Sequence, residues 1–368
     1  MRTSLLKGLG ASAVALLLAS CGSVGGSAGG SDATAPAAGG SQALDAVGQA
    51  IEVEPGSLEG KKICFNFQSL ETEFWAAGVV AISQALAEAG AEVIEMNSNE
   101  DANRQFEQIN DCVTQKADGI IFIPQDGASA NTVIDIANEA GIPVVAFNRP
   151  PASEDGESVV VVADNREIAK QAVEYMVEEA VAFHEETGET LQPLVMVGDL
   201  GDVNAVDRRD GYYDAMNAAP EGVFEETIEV ETNWDATTAQ QNLQSALQAN
   251  PGVDLIFTSS DFMYPQIQAV LNPLGLWQPA DTEGHVILGG VDGDNRACNL
   301  MRDGYVDATG VQDLFFEAQS AIEGLTGAIT GGETHPDKVV DDPGFALTLS
   351  NMGEREGDMW GCVIEPPN

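Results

Sequence analysis

The sequence predicts an α/β protein made of two doubly wound parallel-sheet lobes, on three observations. From about Lys61 onward, short β-rich runs alternate with amphipathic helical stretches, as repeated β-α units of a parallel sheet do. Several strands read as continuous apolar runs (G-I-I-F-I, I-P-V-V-A-F, S-V-V-V-V-A), so both faces of the sheet are covered. The pattern restarts near Asp164, which makes two sheets, and the remaining roughly 300 residues suit two domains better than one.

In chain order the strands are expected at Lys62–Gln68, Glu92–Met96, Gly119–Ile123, Pro143–Phe147, Val159–Ala163, Leu194–Val197, Thr227–Glu231, Leu255–Thr258, Val286–Gly290 and Asp307–Val311. Helical patterns between them include Trp75–Ala89, Asn103–Gln115, Thr132–Ala140, Ile168–Glu185 and Thr237–Gln248. Gly90, Gly119 and Gly141 punctuate helix ends as C-caps do.

What precedes Lys61 is of another kind. Arg2 and Lys7 form a short cationic start, and Leu9–Leu18 supply about ten mostly apolar residues, long enough for a secretory signal and too short to span a bilayer. The string L-L-A-S-C-G at Leu17–Gly22 resembles the bacterial lipobox. That resemblance implies cleavage before Cys21, lipidation of Cys21 and an exported protein anchored on the extracytoplasmic side of the cell membrane. An ordinary signal peptide containing a cysteine is the plain alternative. Residues 1–20 are thus the signal and 21–60 the tether. Of the twenty residues Gly22–Ser41, sixteen are Gly, Ser or Ala, which build no apolar core and behave as a flexible coil with a reach of roughly 25 Å. Gly8-Leu9-Gly10-Ala11-Ser12-Ala13 matches a dinucleotide fingerprint, but it follows no strand and lies inside the signal, so it carries no weight. No G-x-x-x-x-G-K-[ST] loop occurs.

The formal net charge is −44, and removal of Arg2 and Lys7 would leave 13 basic against 59 acidic residues, a net −46. Such a surface repels nucleic acid and anionic headgroups, so no nucleic-acid partner is expected and the membrane is met through the lipid anchor only. It is also compatible with a salty habitat. Beyond Cys21 there are four cysteines, an even number that permits two disulfides in an exported chain. Of the three possible pairings, Cys64–Cys112 and Cys298–Cys362 are favoured because each lies within one half of the two-sheet fold; buried free thiols are the alternative. Zinc is not expected: no C-x-x-C occurs, and His184, His285 and His335 are isolated.

In doubly wound sheets ligands bind at the carboxyl ends of the strands. The segments following these strands are polar and aromatic: S-L-E-T-E-F-W, P-Q-D, N-R-P, D-N, G-D-L-G-D-V-N, T-N-W-D, S-S-D, V-D-G-D-N and Q-D. They hold no nucleophile–base pair, metal cluster or phosphate cradle, so no catalytic residue, cofactor or metal is expected. Amides, carboxylates, arginines and indoles are the groups that grip a neutral polyhydroxylated ligand.

At these residues the chain resembles the sugar-binding periplasmic binding proteins of ABC importers, in the group of the ribose and galactose/glucose binders. I-C-F-N-F-Q-S-L-E-T-E-F-W is similar to the family's opening strand and aromatic loop, and D-G-I-I-F-I-P-Q-D-G and A-N-E-A-G-I-P-V-V-A-F-N-R to its third and fourth units. V-V-A-D-N-R-E-I-A resembles the first crossover between lobes, and L-I-F-T-S-S-D-F-M with G-G-V-D-G-D the ligand strands of the second lobe. F-N-R-P-P and G-D-L-G-D-V-N-A-V-D-R look more like the hexose binder, and N-W-D-A-T-T-A-Q places Trp234 at its stacking indole. Thr72, Asp202 and Ser260 depart from the family pattern, and no calcium loop is recognisable in E-E-T-G-E-T-L-Q.

The resemblance implies the type I fold: 61–163 plus 313–335 as the N-terminal lobe, 164–312 plus 336–368 as the C-terminal lobe, and three hinge crossovers near Asp164, Gln312 and Pro336. It implies a monomer that closes on a monosaccharide, hexose or pentose, and presents it to an ABC permease. Phe74 and Trp234 would face the two sides of the sugar ring, whose C–H faces pack on aromatic planes; core packing is the alternative for Phe74 and Trp75. Asn148, Arg149 and Arg208 would donate to hydroxyls, and Asp164 and Asp292 accept. Arg149 could instead bridge to Glu71 or Asp126. Asn204, Asp261 and Gln312 complete the expected set, whereas Asp202 is as compatible with a solvated loop as with ligand contact. Two rival readings are a receptor handing the sugar-bound form to a signalling protein and an exported glycoside hydrolase using Asp164 and Asp292.

Overall fold

The structure, a computed structural model, describes residues 51–153 and 156–364. The expected signal, the expected lipidation site Cys21 and the expected tether up to residue 50 lie outside these residues. Residues 51–60, expected as tether, already pack on the fold: Ile51 and Leu58 are buried, and Glu52 exchanges two hydrogen bonds with Gln319, each 2.6 Å. These two buried side chains and the Gln319 hydrogen bonds attach this stretch to the core.

Two six-stranded sheets form the core. The first contains β1 (Lys62–Phe67), β2 (Glu92–Asn97), β3 (Gly119–Phe122), β4 (Val144–Phe147), β5 (Val159–Ala163) and β11 (Lys338–Asp342), in the order β11-β5-β4-β3-β1-β2, all parallel. The second contains β6 (Gln192–Val197), β7 (Ile228–Glu231), β8 (Val253–Thr258), β9 (Ile287–Asp292), β10 (Ala308–Val311) and β12 (Phe345–Thr348), in the order β12-β10-β9-β8-β6-β7. Only β12 runs antiparallel, against β10. The apolar runs have their expected consequence. Along β3 and β4 every residue is buried, with Ile121, Val145 and Phe147 in one apolar cluster and Ile120, Phe122, Val144 and Ala146 in another on the opposite face.

The helices are α1 (Glu73–Glu88), α2 (Ala102–Thr114), α3 (Gly127–Ala140), α4 (Asn165–Thr187), α5 (Val203–Ala218), α6 (Ala236–Ala249), α7 (Tyr264–Leu271), α8 (Asn295–Arg302), α9 (Leu314–Gly331), α10 (Met352–Arg355) and α11 (Trp360–Val363). Gly141 ends α3 in the left-handed conformation that glycine adopts without steric cost. Gly119 does not end a helix. It opens β3, where a Cβ would stand 2.8 Å from Leu325 Cδ1, so any larger residue would make the Leu325 side chain of α9 shift.

Among the described residues the chain passes between sheets three times: after β5, after β10 and after β11. The last crossing follows Asp342, not Pro336 as expected, because Lys338–Asp342 adds a strand to the first sheet beside β5. The three crossings are bonded together. Asp164 N donates to Asp342 O (2.9 Å), and Asp313 N to Asp342 Oδ2 (2.6 Å). Disulfides join Cys64 to Cys112, linking β1 to α2, and Cys298 to Cys362, linking α8 to α11. No helix among the described residues is long and apolar enough to cross a membrane.

Candidate ligand-binding cleft

A cavity of about 430 Å³ opens between the carboxyl ends of the two sheets, where strands end and helix N-termini begin. Four helices that start on its wall are capped by side chains: Thr72 on α1, Asp202 on α5, Asp235 on α6 and Asp294 on α8. The Thr72 cap, with Trp75 N donating to Oγ1 at 3.2 Å, brings Phe74 and Trp75 to the cavity within the first turn of α1. Beyond β4, Asn148 turns the chain at φ +64°, so that it and Arg149 point into the cleft from the first lobe.

Nine of the eleven expected residues line this cavity: Phe74, Trp75, Asn148, Arg149, Asn204, Arg208, Trp234, Asp292 and Gln312. Asp164 and Asp261 do not. Asp164 is exposed and caps α4, accepting from Glu167 N at 3.0 Å; the D-x-x-E spacing was a cap signal. Asp261 is fully buried behind the wall, where it accepts from Gly293 N and Thr309 Oγ1, both at 2.8 Å. Following a strand is therefore not enough to reach the cleft.

Arg149 pairs with neither Glu71 nor Asp126. Its Nε lies 3.1 Å from Asp202 Oδ2, and its Nη1 donates to Gln68 Oε1 (3.0 Å) and Gln125 O (2.6 Å), with the guanidinium 5.4 Å over the Trp75 ring. Asp202, departing from the solvated-loop reading, is 4 % exposed and also accepts from Trp234 Nε1 at 3.1 Å. One carboxylate thus joins an arginine of the first lobe to an indole of the second. Trp234 lies flat against Gly198, where a Cβ would stand 2.2 Å from its Cζ2; only glycine leaves room for the ring.

At the floor, Asp292 collects donors. Its Oδ1 accepts from Arg208 Nη1 (2.9 Å) and Gln312 Nε2 (2.7 Å), and its Oδ2 from the Ser260 hydroxyl. Arg208 is held in turn by Asn165 Oδ1 (2.6 Å) and Ser259 O (2.7 Å). Asn148 Nδ2 donates to Gln312 Oε1 (2.8 Å) and to Glu317 Oε2 (2.9 Å), and Asn204 Nδ2 donates to Asn148 O (2.9 Å). Burial raises the Asp292 carboxyl against the opposing pull of Arg208, and burial followed by the charge of Glu73 pushes Asp294 up to about 8. Three acceptors on the lining, Asn204 Oδ1, Gln125 Oε1 and Gln266 Oε1, are buried without a hydrogen-bond partner. Sequence reasoning missed Gln68, Gln125, Phe262 and Asp294 on the lining, and Glu317 beneath Asn148. Glu317 carried no local signal, being one turn into a helix.

The arrangement offers charge-assisted and amide hydrogen bonds beside four aromatic rings, and it belongs to a known class. Residues 63–333 match the family model described as periplasmic binding protein domain, and the chain belongs to that family, whose members are solute-binding proteins and not enzymes. Among relatives, it is 27 % identical over 271 residues to the D-apiose import binding protein of Actinobacillus succinogenes, covering 72 % of this chain and 81 % of that one. It is 22 % identical to the ribose import binding protein of Bacillus subtilis, covering 70 % and 79 %. A solute binding protein of an ABC transporter from Bacillus halodurans, solved with bound myo-inositol, superposes with a TM-score of 0.68 at 22 % identity, over 82 % of this chain and 99 % of that one.

Proposed function

We propose that this protein captures one neutral monosaccharide or cyclic polyol in the cleft, closes its lobes around it and hands it unchanged to an ABC importer. The observation that carries the reading is the convergence of Arg149, Asn148 and Phe74 from one lobe with Arg208, Asp292 and Trp234 from the other on a single cavity of small-ligand size. Charged and amide groups punish a mis-oriented epimer, because an unmatched buried polar group costs about 1–3 kcal/mol. Planar rings receive the C–H faces of the sugar. Relatives named for the import of ribose and D-apiose support the ligand class.

Closure follows from both lobes contributing to one ligand: the closed form is favoured by contacts it alone completes. The three bonded crossings supply the pivot. Cys21, lipidated after signal cleavage, tethers the monomer to the membrane surface, where its permease lies. A thermal-shift panel of neutral pentoses, hexoses and inositols tests the reading, since a specific ligand raises the melting point by mass action. One sugar raising it by several degrees supports capture; a flat response across the panel overturns it.

A further inference from the structure

Asp292 has a backbone φ of +126°, a strained value for a residue with a Cβ. Its peptide bond to Gly293 is gripped from both sides. Gly293 N donates to Asp261 Oδ2 at 2.8 Å, and Asp292 O accepts from Trp360 Nε1 at 2.9 Å. Trp360 comes from the C-terminal segment, is 3 % exposed, and meets the Phe74 ring of the opposite lobe edge-on at 5.7 Å. The residue after it, Gly361, lies directly on the Asp292 turn: its N donates to Gly293 O at 3.1 Å, and a Cβ would stand 2.2 Å from the carbonyl carbon of Asp294. The next residue, Cys362, is bonded covalently to Cys298 of α8, the helix that begins just beyond this turn.

We propose that Trp360 is a positioning residue of the cleft: its indole, fastened by the Cys298–Cys362 disulfide, clamps the strained Asp292–Gly293 peptide and so fixes the carboxylate the ligand meets. The clamp itself is independent of the ligand's identity. Its effect on affinity rests on the proposed function. A strained backbone persists only where its surroundings over-determine it, and here the indole N–H and the Asp261 carboxylate supply that determination. The same indole touches Phe74, so one side chain supports a binding group on each lobe.

Three variants test this. Trp360→Phe keeps the ring beside Phe74 and removes the N–H; Cys298→Ala/Cys362→Ala releases the strap; Cys64→Ala/Cys112→Ala removes the other disulfide, which joins β1 to α2 away from the cleft. In the sugar-free proteins, amide hydrogen exchange over residues 287–296 should quicken about tenfold in the first two and stay unchanged in the third. The Kd for whichever of D-ribose, D-xylose, D-galactose, D-glucose or myo-inositol binds the parent best should rise about five- to tenfold in the first two, and not in the third even where its melting point falls as far. Unchanged exchange overturns the clamp, and a Kd that merely follows melting temperature across all three overturns the positioning role. A parent that binds none of the five contradicts the proposed function, while the exchange data still decide the clamp.

Discussion

Arg208 and Asp292 meet at the cleft floor as a buried ion pair, 2.9 Å from Nη1 to Oδ1, with side-chain exposures of 5 % and 12 %. Asp292 takes two further donors from Gln312 and Ser260, and Arg208 two further acceptors from Asn165 and Ser259. A carboxylate has about four acceptor sites, so Asp292 keeps capacity for a ligand hydroxyl in a fixed direction. Asp292→Ala leaves the Arg208 charge buried without its partner, a change that costs about 3–5 kcal/mol. Chemical denaturation should register that loss, and titration calorimetry a fall in sugar affinity of at least a hundredfold.

Trp234 should matter for binding and little for folding, since it is half-buried at the rim with its N–H on Asp202. Trp234→Ala should remain folded and lose the sugar-dependent thermal shift. Gly198→Ala should produce the same loss with the indole still present, because the added methyl occupies the position of the ring. Retention of the full shift in both variants would remove the stacking face from the account.

Two buried carboxyls make stability depend on pH. Burial and the Glu73 charge raise Asp294 to about 8, and burial raises Asp342 to about 6. Both therefore hold protons in the folded state that the unfolded chain releases near pH 4. Their contribution is fully present below that pH and is lost as pH rises through about 6 and then about 8. The melting point of the sugar-free protein should fall between pH 5 and pH 9. Asp294→Asn, which keeps an α8 cap, should flatten that fall and gain on the parent as pH rises.

The proposed membrane attachment rests on Cys21. Cys21→Ser, expressed with its signal in a bacterium that processes lipoproteins, should move the protein from the membrane fraction to the soluble extracytoplasmic fraction. Sugar affinity should be unchanged, because among the described residues the cleft lining begins only at Gln68.

The sequence made the inner strands legible because a strand covered on both faces must be apolar throughout, as Gly119–Phe122 and Val144–Phe147 are. It concealed β11 and β12 for the complementary reason. Lys338–Asp342 is a sheet-edge strand, mostly exposed and bearing Lys338, Asp341 and Asp342, while Phe345–Thr348 is only four residues long. In the cleft, residues next to strand ends were readable one at a time, but their partners were not. Asp202 meets Arg149, and Trp360 meets Asp292, through tertiary contacts across 53 and 68 positions that no local pattern announces. Asp261 and Asp164 erred in the opposite direction: their position after a strand suggested the ligand, and their side chains serve a buried network and a helix cap.

The most direct measurement is calorimetric titration of the purified protein with the neutral sugar panel and D-galacturonate, followed by chromatographic recovery of the sugar. The cavity wall carries eight acidic residues against three arginines, so a carboxylated sugar should be repelled. A neutral sugar should bind one-to-one with micromolar or tighter Kd, galacturonate should give no heat, and the sugar should be recovered unaltered. Preference for the anionic sugar, or release of a new product, would contradict the proposed function.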